Sequence, residues 1–175
     1  FTGCHALDSV VEVVNRLPVQ SVIYQSLHDP YGFGLLLFNE NPAELIEDGK
    51  KCFLSAPFKN LEMLREMTMV GRTYSSGFEP DLEDWLLKKP ARTALNPKWP
   101  WAVWYPLRRK PEFANLNRED QKKILMEHSV IGRQYGSSEL AFDIRLACYG
   151  LDVRDNEFVI GVLSNDLYPL SRLIQ

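Results

Sequence analysis

No apolar run in this chain of 175 residues approaches the roughly 20 residues that a bilayer-spanning helix needs, so a membrane span is not expected. Cysteine is scarce and odd in number. Cys4, Cys52 and Cys148 lie far apart and lack the close Cys/His pairing of structural zinc sites. With no secretory signal pattern visible, they point to a reducing, cytoplasmic setting. A basic excess is missing too: 20 Lys and Arg stand against 23 Asp and Glu, scattered along the chain, for a formal charge of -3. Counterion release therefore has no patch to act through, and nucleic acid is not an expected partner.

What is present is ordinary globular composition, 45% hydrophobic and 25% charged, enough for one large domain or two small units sharing a core. The sequence opens at Phe1 and stops at Gln175 inside an amphipathic pattern (Leu167, Leu170, Leu173, Ile174), so a fragment is expected.

Asp8 is a candidate N-cap for a helix carrying Val10, Val11, Val13, Val14 and Leu17, which the breaker Pro18 ends. Ser21 to Leu27 and Gly32 to Phe38 flank the turn cluster His28-Asp29-Pro30-Tyr31 and read as a hairpin. Asn41-Pro42 opens helical sequence, punctuated by Pro57, expected to continue to about Tyr74. A polar, Pro-rich stretch from Ser75 to Pro100 follows, in which Asp81 to Leu87 can form a short helix. Trp99 to Leu107 is an aromatic strand, and Asn117 can cap a helix from Arg118 to about Tyr135. The last strands are Ala141 to Leu151 and Glu157 to Leu163. In the first of these, Phe142, Ile144, Leu146 and Cys148 alternate with Asp143, Arg145, Ala147 and Tyr149.

Arg65 to Tyr74 aligns without gaps on Met126 to Tyr135, sharing Glu, Gly, Arg and Tyr, which suggests two related α+β units. In the second copy Ile124, His128, Ile131 and Tyr135 form one helical stripe with His128 in the middle. A core histidine bonded to a backbone carbonyl would satisfy that pattern. So would a ligand, and Met67 at the matching place of the first copy indicates that imidazole was required only once. An imidazole on a rigid helix is the usual proximal ligand of haem iron. Trp99, Trp101 and Trp104 read as packing, Cys148 as a small buried hydrophobe, and His5 and His28 as loop residues.

The run Met126 to Tyr135 resembles the helix that bears the haem-ligating histidine in the chlorite dismutase and coproheme decarboxylase family. Gly150-Leu151-Asp152 followed by Asn156-Glu157-Phe158-Val159 resembles that family's turn and strand. Tyr105-Pro106-Leu107-Arg108-Arg109 resembles its Tyr-Pro strand end, where porphyrin propionates are met. The matches cover approximately Trp99 to Leu163. They imply an α+β fold of duplicated ferredoxin-like units, of the dimeric α+β barrel type, with antiparallel sheets and helices packed outside. The halves would be 1–76 and 99–175, joined by a connector at 77–98, with the haem in the second half.

By this resemblance His128 is the metal ligand, Arg108, Arg109 and Tyr149 bind the cofactor, and Arg145, Asp143 and Tyr105 are the catalytic candidates. The family's distal position carries arginine in chlorite dismutases and commonly glutamine in coproheme decarboxylases of the Gram-positive type. Here it falls on Asp143, with Arg145 two positions on and on the same face. Chlorite dismutation is therefore less expected than peroxide-dependent oxidation or decarboxylation. The implied cofactor is haem b or coprohaem, and the partners are the porphyrin, a small oxidant such as peroxide, and further copies of the chain in a pentamer or dimer. A non-catalytic haem carrier or sensor, and a cofactor-free oligomer binding a small molecule, are the alternatives.

Overall fold

A computed structural model describes residues 1–77 and 79–175, in two compact units, Phe1–Thr68 and Met69–Gln175. In the first, α1 (Leu7–Val14) buries Val10 and Val14 one turn apart. Its N-cap position is Ala6 with no side-chain cap, so Asp8 is not the cap expected; it stands in the first turn, where a carboxylate favours the helix dipole. Strands β1 (Gln20–Gln25) and β2 (Phe33–Phe38) form the expected hairpin, with Gln20 opposite Phe38 and Gln25 opposite Phe33. Helix α2 (Pro42–Leu54) is capped by the Asn41 side chain, which accepts the Ala43 N–H at 3.0 Å. Val10, Val14, Phe33, Cys52 and Phe58 make the core of this unit.

Helix does not continue to Tyr74. It stops at Leu54, and two 3₁₀ turns, Phe58–Asn60 and Arg65–Met67, carry the chain on to strand β3 (Arg72–Thr73). The cause is non-local. Glu62 exchanges backbone hydrogen bonds with Thr2 (3.0 and 3.3 Å), and Leu61 packs on the first core. The equivalence of Met67 with His128 fails with it, because Met67 lies in a 3₁₀ turn, 68% exposed, and His128 in the middle of a long helix.

The second unit is built on an antiparallel sheet in the order β3-β5-β6-β4, with β4 at Trp101–Leu107, β5 at Phe142–Ala147 and β6 at Phe158–Ser164. Opposed residues of antiparallel strands share a face. Tyr105, Ile160 and Arg145 form one row, and Val103, Val162 and Asp143 the next, on what we call the front face. Two of the tryptophans pack on the back face: Trp99 stacks on Phe142 at 3.9 Å, and Trp104 lies across Gly161, where a Cβ would stand 2.5 Å from the indole. Neither sheet closes into a barrel among the described residues.

Helical sequence lies within 79–98, as expected for Asp81 to Leu87, and extends beyond Leu87. A π segment, Asp84–Lys88, runs into α3 (Lys89–Ala94), which lies against β5. After α4 (Pro111–Asn115) comes α5 (Arg118–Ser137), whose cap is the expected Asn117, accepting the Asp120 N–H at 2.9 Å. Gln121 ties the start of α5 to the carbonyls of Phe113 and Leu116. Strand β5 ends at Ala147, short of the expected Leu151. The Cys148 carbonyl takes the N–H of both Leu151 and Asp152, and Gly150 adopts φ 71, so the chain turns and Tyr149 falls outside the alternation. Cys148 is fully buried. Helix α6 (Leu167–Ile174) closes the described chain, and among the described residues no helix is long and apolar enough to cross a membrane.

Candidate functional site

Near its C-terminal end α5 rests on the front face: Tyr135 packs with Trp101, Val103, Tyr105 and Ile160 around the buried cluster Ala141, Val162 and Leu170. Seven residues make almost two full turns, so His128 lies on the same stripe as Tyr135, about 10 Å along the axis. The stripe is uncovered there. Ile124 and Ile131, which flank His128, are 46% and 47% exposed, and no residue of α5 is fully buried. By helix phase the apolar stripe centred on His128 continues the side on which Tyr135 packs, and the helix is exposed all along 122–134. Such a surface is the mark of a ligand or interaction site.

On the sheet, Tyr105 is half-buried in the middle of β4, and its phenol is pushed above the ordinary tyrosine range by burial and then by the Asp143 charge. Across β6 in the same row stands Arg145, whose Nε donates to Asp143 Oδ2 at 2.8 Å. The guanidinium also sits 5.2 Å from the centre of the Trp85 ring, and Lys89 Nζ lies 3.9 Å from the same ring. Burial lowers the Lys89 pKa, against the attraction of Asp143.

At the end of the front face an open basin of about 440 Å³ is lined by Arg72, Tyr74, Arg109, Ala147, Tyr149 and Phe158, among others. The Arg109 guanidinium lies 4.7 Å from the Phe158 ring and 3.7 Å from the Glu157 carboxylate. The Tyr149 hydroxyl donates to that same carboxylate at 3.3 Å, and its ring meets Phe158 edge-on. Burial, then Glu157, pushes the Tyr149 phenol up. Arg108 turns elsewhere and donates to the carbonyl of Arg154.

Tyr105, Asp143 and Arg145 therefore share one face, Arg109 and Tyr149 border one end of it, and Arg108 does not join them. Cationic and hydroxyl donors beside the aromatic rings of the basin suit a ligand bearing carboxylates. Trp85, Lys89, Arg72 and Glu157 also border these groups, beyond the residues expected there. For the first two a signal was available: an aromatic residue and a lysine four apart, in a stretch otherwise read as polar linker. Among the described residues no three His, Cys, Asp or Glu side chains gather as a metal site.

The structure of a mutant chlorite dismutase from Candidatus Nitrospira defluvii superposes with a TM-score of 0.68 at 16% identity, over 96% of this chain and 71% of that one. A heme-binding protein from Thermus thermophilus gives 0.66 at 19% identity, over 95% of this chain and 70% of that one. At such identities the likeness is one of fold, the α+β fold of duplicated ferredoxin-like units. No curated protein sequence matches the chain. The family model described as chlorite dismutase matches residues 62–175, well over half of the sequence, and the chain belongs to the chlorite dismutase family.

Proposed function

We propose that the chain binds an iron porphyrin, haem b or coprohaem, between α5 and the front face of the sheet, that His128 would hold its iron, and that the group would serve peroxide-dependent oxidation. One observation carries this: the stripe Ile124, His128, Ile131 lies on the side of α5 that Tyr135 fixes against the sheet, yet stays uncovered. The donor set fits as well. Among the described residues His128 belongs to no cluster of three or more His, Cys, Asp or Glu side chains, and a lone imidazole suits an iron whose other ligands come with a prosthetic group. The Thermus relative of this fold is a heme-binding protein.

Bound there, the iron porphyrin would supply the redox chemistry with peroxide. The side chains would do the rest. Tyr105, its phenol pushed up, offers a neutral hydroxyl near neutral pH. Arg145 would bring a cation to the sheet side of the bound group, where it could stabilise an anionic oxidant, and Asp143 beside it would offset part of the guanidinium charge. Arg109 and Tyr149 would take a porphyrin carboxylate in place of Glu157.

The Asp143–Arg145 ion pair also favours a second reading, a haem carrier or sensor without turnover, since a neutralised guanidinium is a poor stabiliser of new negative charge. Titrating ferric haem and coprohaem into the purified chain tests the first step: a saturable shift of the Soret band is expected. A spectrum that stays that of free porphyrin contradicts it. Mixing the loaded protein with peroxide then separates enzyme from carrier. Arg145→Ala should slow the reaction by about a hundredfold if the cation acts on the oxidant, and change nothing in a carrier.

A further inference from the structure

The π segment Asp84–Lys88 ends with the Lys89 N–H on the Asp84 carbonyl, and it sets two side chains beside the stretch of β5 that β3 no longer pairs. The Trp85 indole is locked by its own N–H, which donates to the Tyr74 carbonyl at 3.1 Å. Its ring receives two cations, Lys89 Nζ at 3.9 Å and the Arg145 guanidinium at 5.2 Å. Of the two, Arg145 is the one with a carboxylate partner as close as 2.8 Å, at Asp143. An arginine on a strand edge, half-exposed, would otherwise sample many rotamers, because a lone surface ion pair restrains a long side chain weakly. A fixed aromatic face supplies a second, differently directed restraint.

We propose that Trp85 is the positioning residue of Arg145: the anchored indole and Asp143 together hold the guanidinium at the front edge of β5. The functional meaning of this platform rests on the porphyrin reading of the front face; its geometry does not. If that reading holds, Trp85 sets where the cation stands relative to an incoming anion, although it touches neither porphyrin nor oxidant. Lys89 occupies the same ring as a competing cation, so its removal should leave Arg145 held at least as firmly.

The test is made on the protein without porphyrin, by NMR of the arginine Nε–H and indole N–H signals, Arg145 and Trp85 being assigned from Arg145→Ala and Trp85→Phe. Trp85→Leu should speed exchange of the Arg145 Nε–H by on the order of tenfold, with Trp85→Phe in between and Lys89→Met no faster than wild type. Reciprocally, Arg145→Ala, a substitution at a half-exposed site, should shift the Trp85 indole signal. An Arg145 exchange rate indifferent to Trp85→Leu overturns the proposal. So does an unmoved indole signal in Arg145→Ala, which decides the matter even if Trp85→Leu does not fold. Fluoride binding to the haem-loaded protein separates the two levels. Weakening by Trp85→Leu that matches Arg145→Ala supports both, whereas indifference to both variants, with the NMR result intact, removes the porphyrin reading and leaves the platform standing.

Discussion

His128 and Tyr135 stand seven residues apart on one stripe of α5, and of the two it is Tyr135 that packs on the sheet. The stripe therefore has a structural half and an uncovered half. Tyr135→Ala should lower stability by about 1–3 kcal/mol, as loss of a half-buried aromatic does, whereas Ile131→Ser should stay within about 0.5 kcal/mol. Urea unfolding of the porphyrin-free protein measures both. The order should invert for porphyrin affinity, with Ile131→Ser the more damaging.

A second pair fixes the back of the sheet. Trp104 and Gly161 are opposed in the β4–β6 ladder, and a Cβ on Gly161 would stand 2.5 Å from the indole. Gly161→Val should cost about 1–3 kcal/mol through overpacking. In a Trp104→Leu background the same change should cost clearly less, because the two sites are coupled by contact. Equal costs in both backgrounds would show that the ring is not what excludes a side chain there.

Acid sensitivity should arise at Glu79. Burial alone would raise its pKa, but bonds from Ser75 Oγ (2.5 Å), Ser76 Oγ (2.6 Å) and the Ser76 N–H (3.2 Å) override this and lower it from 4.5 to about 2. The Gly77 N–H donates to the same carboxylate at 3.0 Å. The folded state thus favours the ionised form. The resulting stability is complete above pH 4.5 and is lost as pH falls through about 2. With solvent screening its size is about 1–2 kcal/mol at most. Unfolding curves taken from pH 5 down to pH 2 should show this loss in the wild type and a flatter profile in Glu79→Gln.

The two arginines after β4 should separate. Arg109 lines the basin beside Tyr149, and Arg108 is spent on the Arg154 carbonyl. Arg109→Gln should weaken coprohaem, with its four carboxylates, more than haem, with two, and more than Arg108→Gln does. Equal losses in the two variants, or for the two porphyrins, would return both arginines to the role of a solvated strand end.

Much of the second unit was legible because its signals are local: the Asn117 cap, the apolar stripe of α5, and the alternation that puts Asp143 and Arg145 on one face. The first unit shows the limit. Residues 61–74 have apolar residues at spacings compatible with a helix, but Leu61 is drawn into the core and Glu62 pairs with Thr2, a partner some sixty positions away that no local pattern announces. Tyr149 was placed on β5 for a similar reason. Alternation continues in the letters past Ala147, while the Cys148 carbonyl is already closing a turn. The shared face of Tyr105, Arg145 and Asp143 follows from strand alternation and register, and the helical stripe of His128 from its spacing. Trp85 could not be linked to Arg145, because the contact joins a helix to a strand more than fifty residues later.

On the proposed function, His128 would hold the iron of a bound porphyrin. Titrating ferric haem into wild type and His128→Ala, followed by absorption, tests it most directly. His128 is exposed, so the variant should fold with wild-type stability, yet it should lose the Soret shift, and added imidazole should restore it. Identical spectra and affinities in the two proteins would rule out His128 as the ligand.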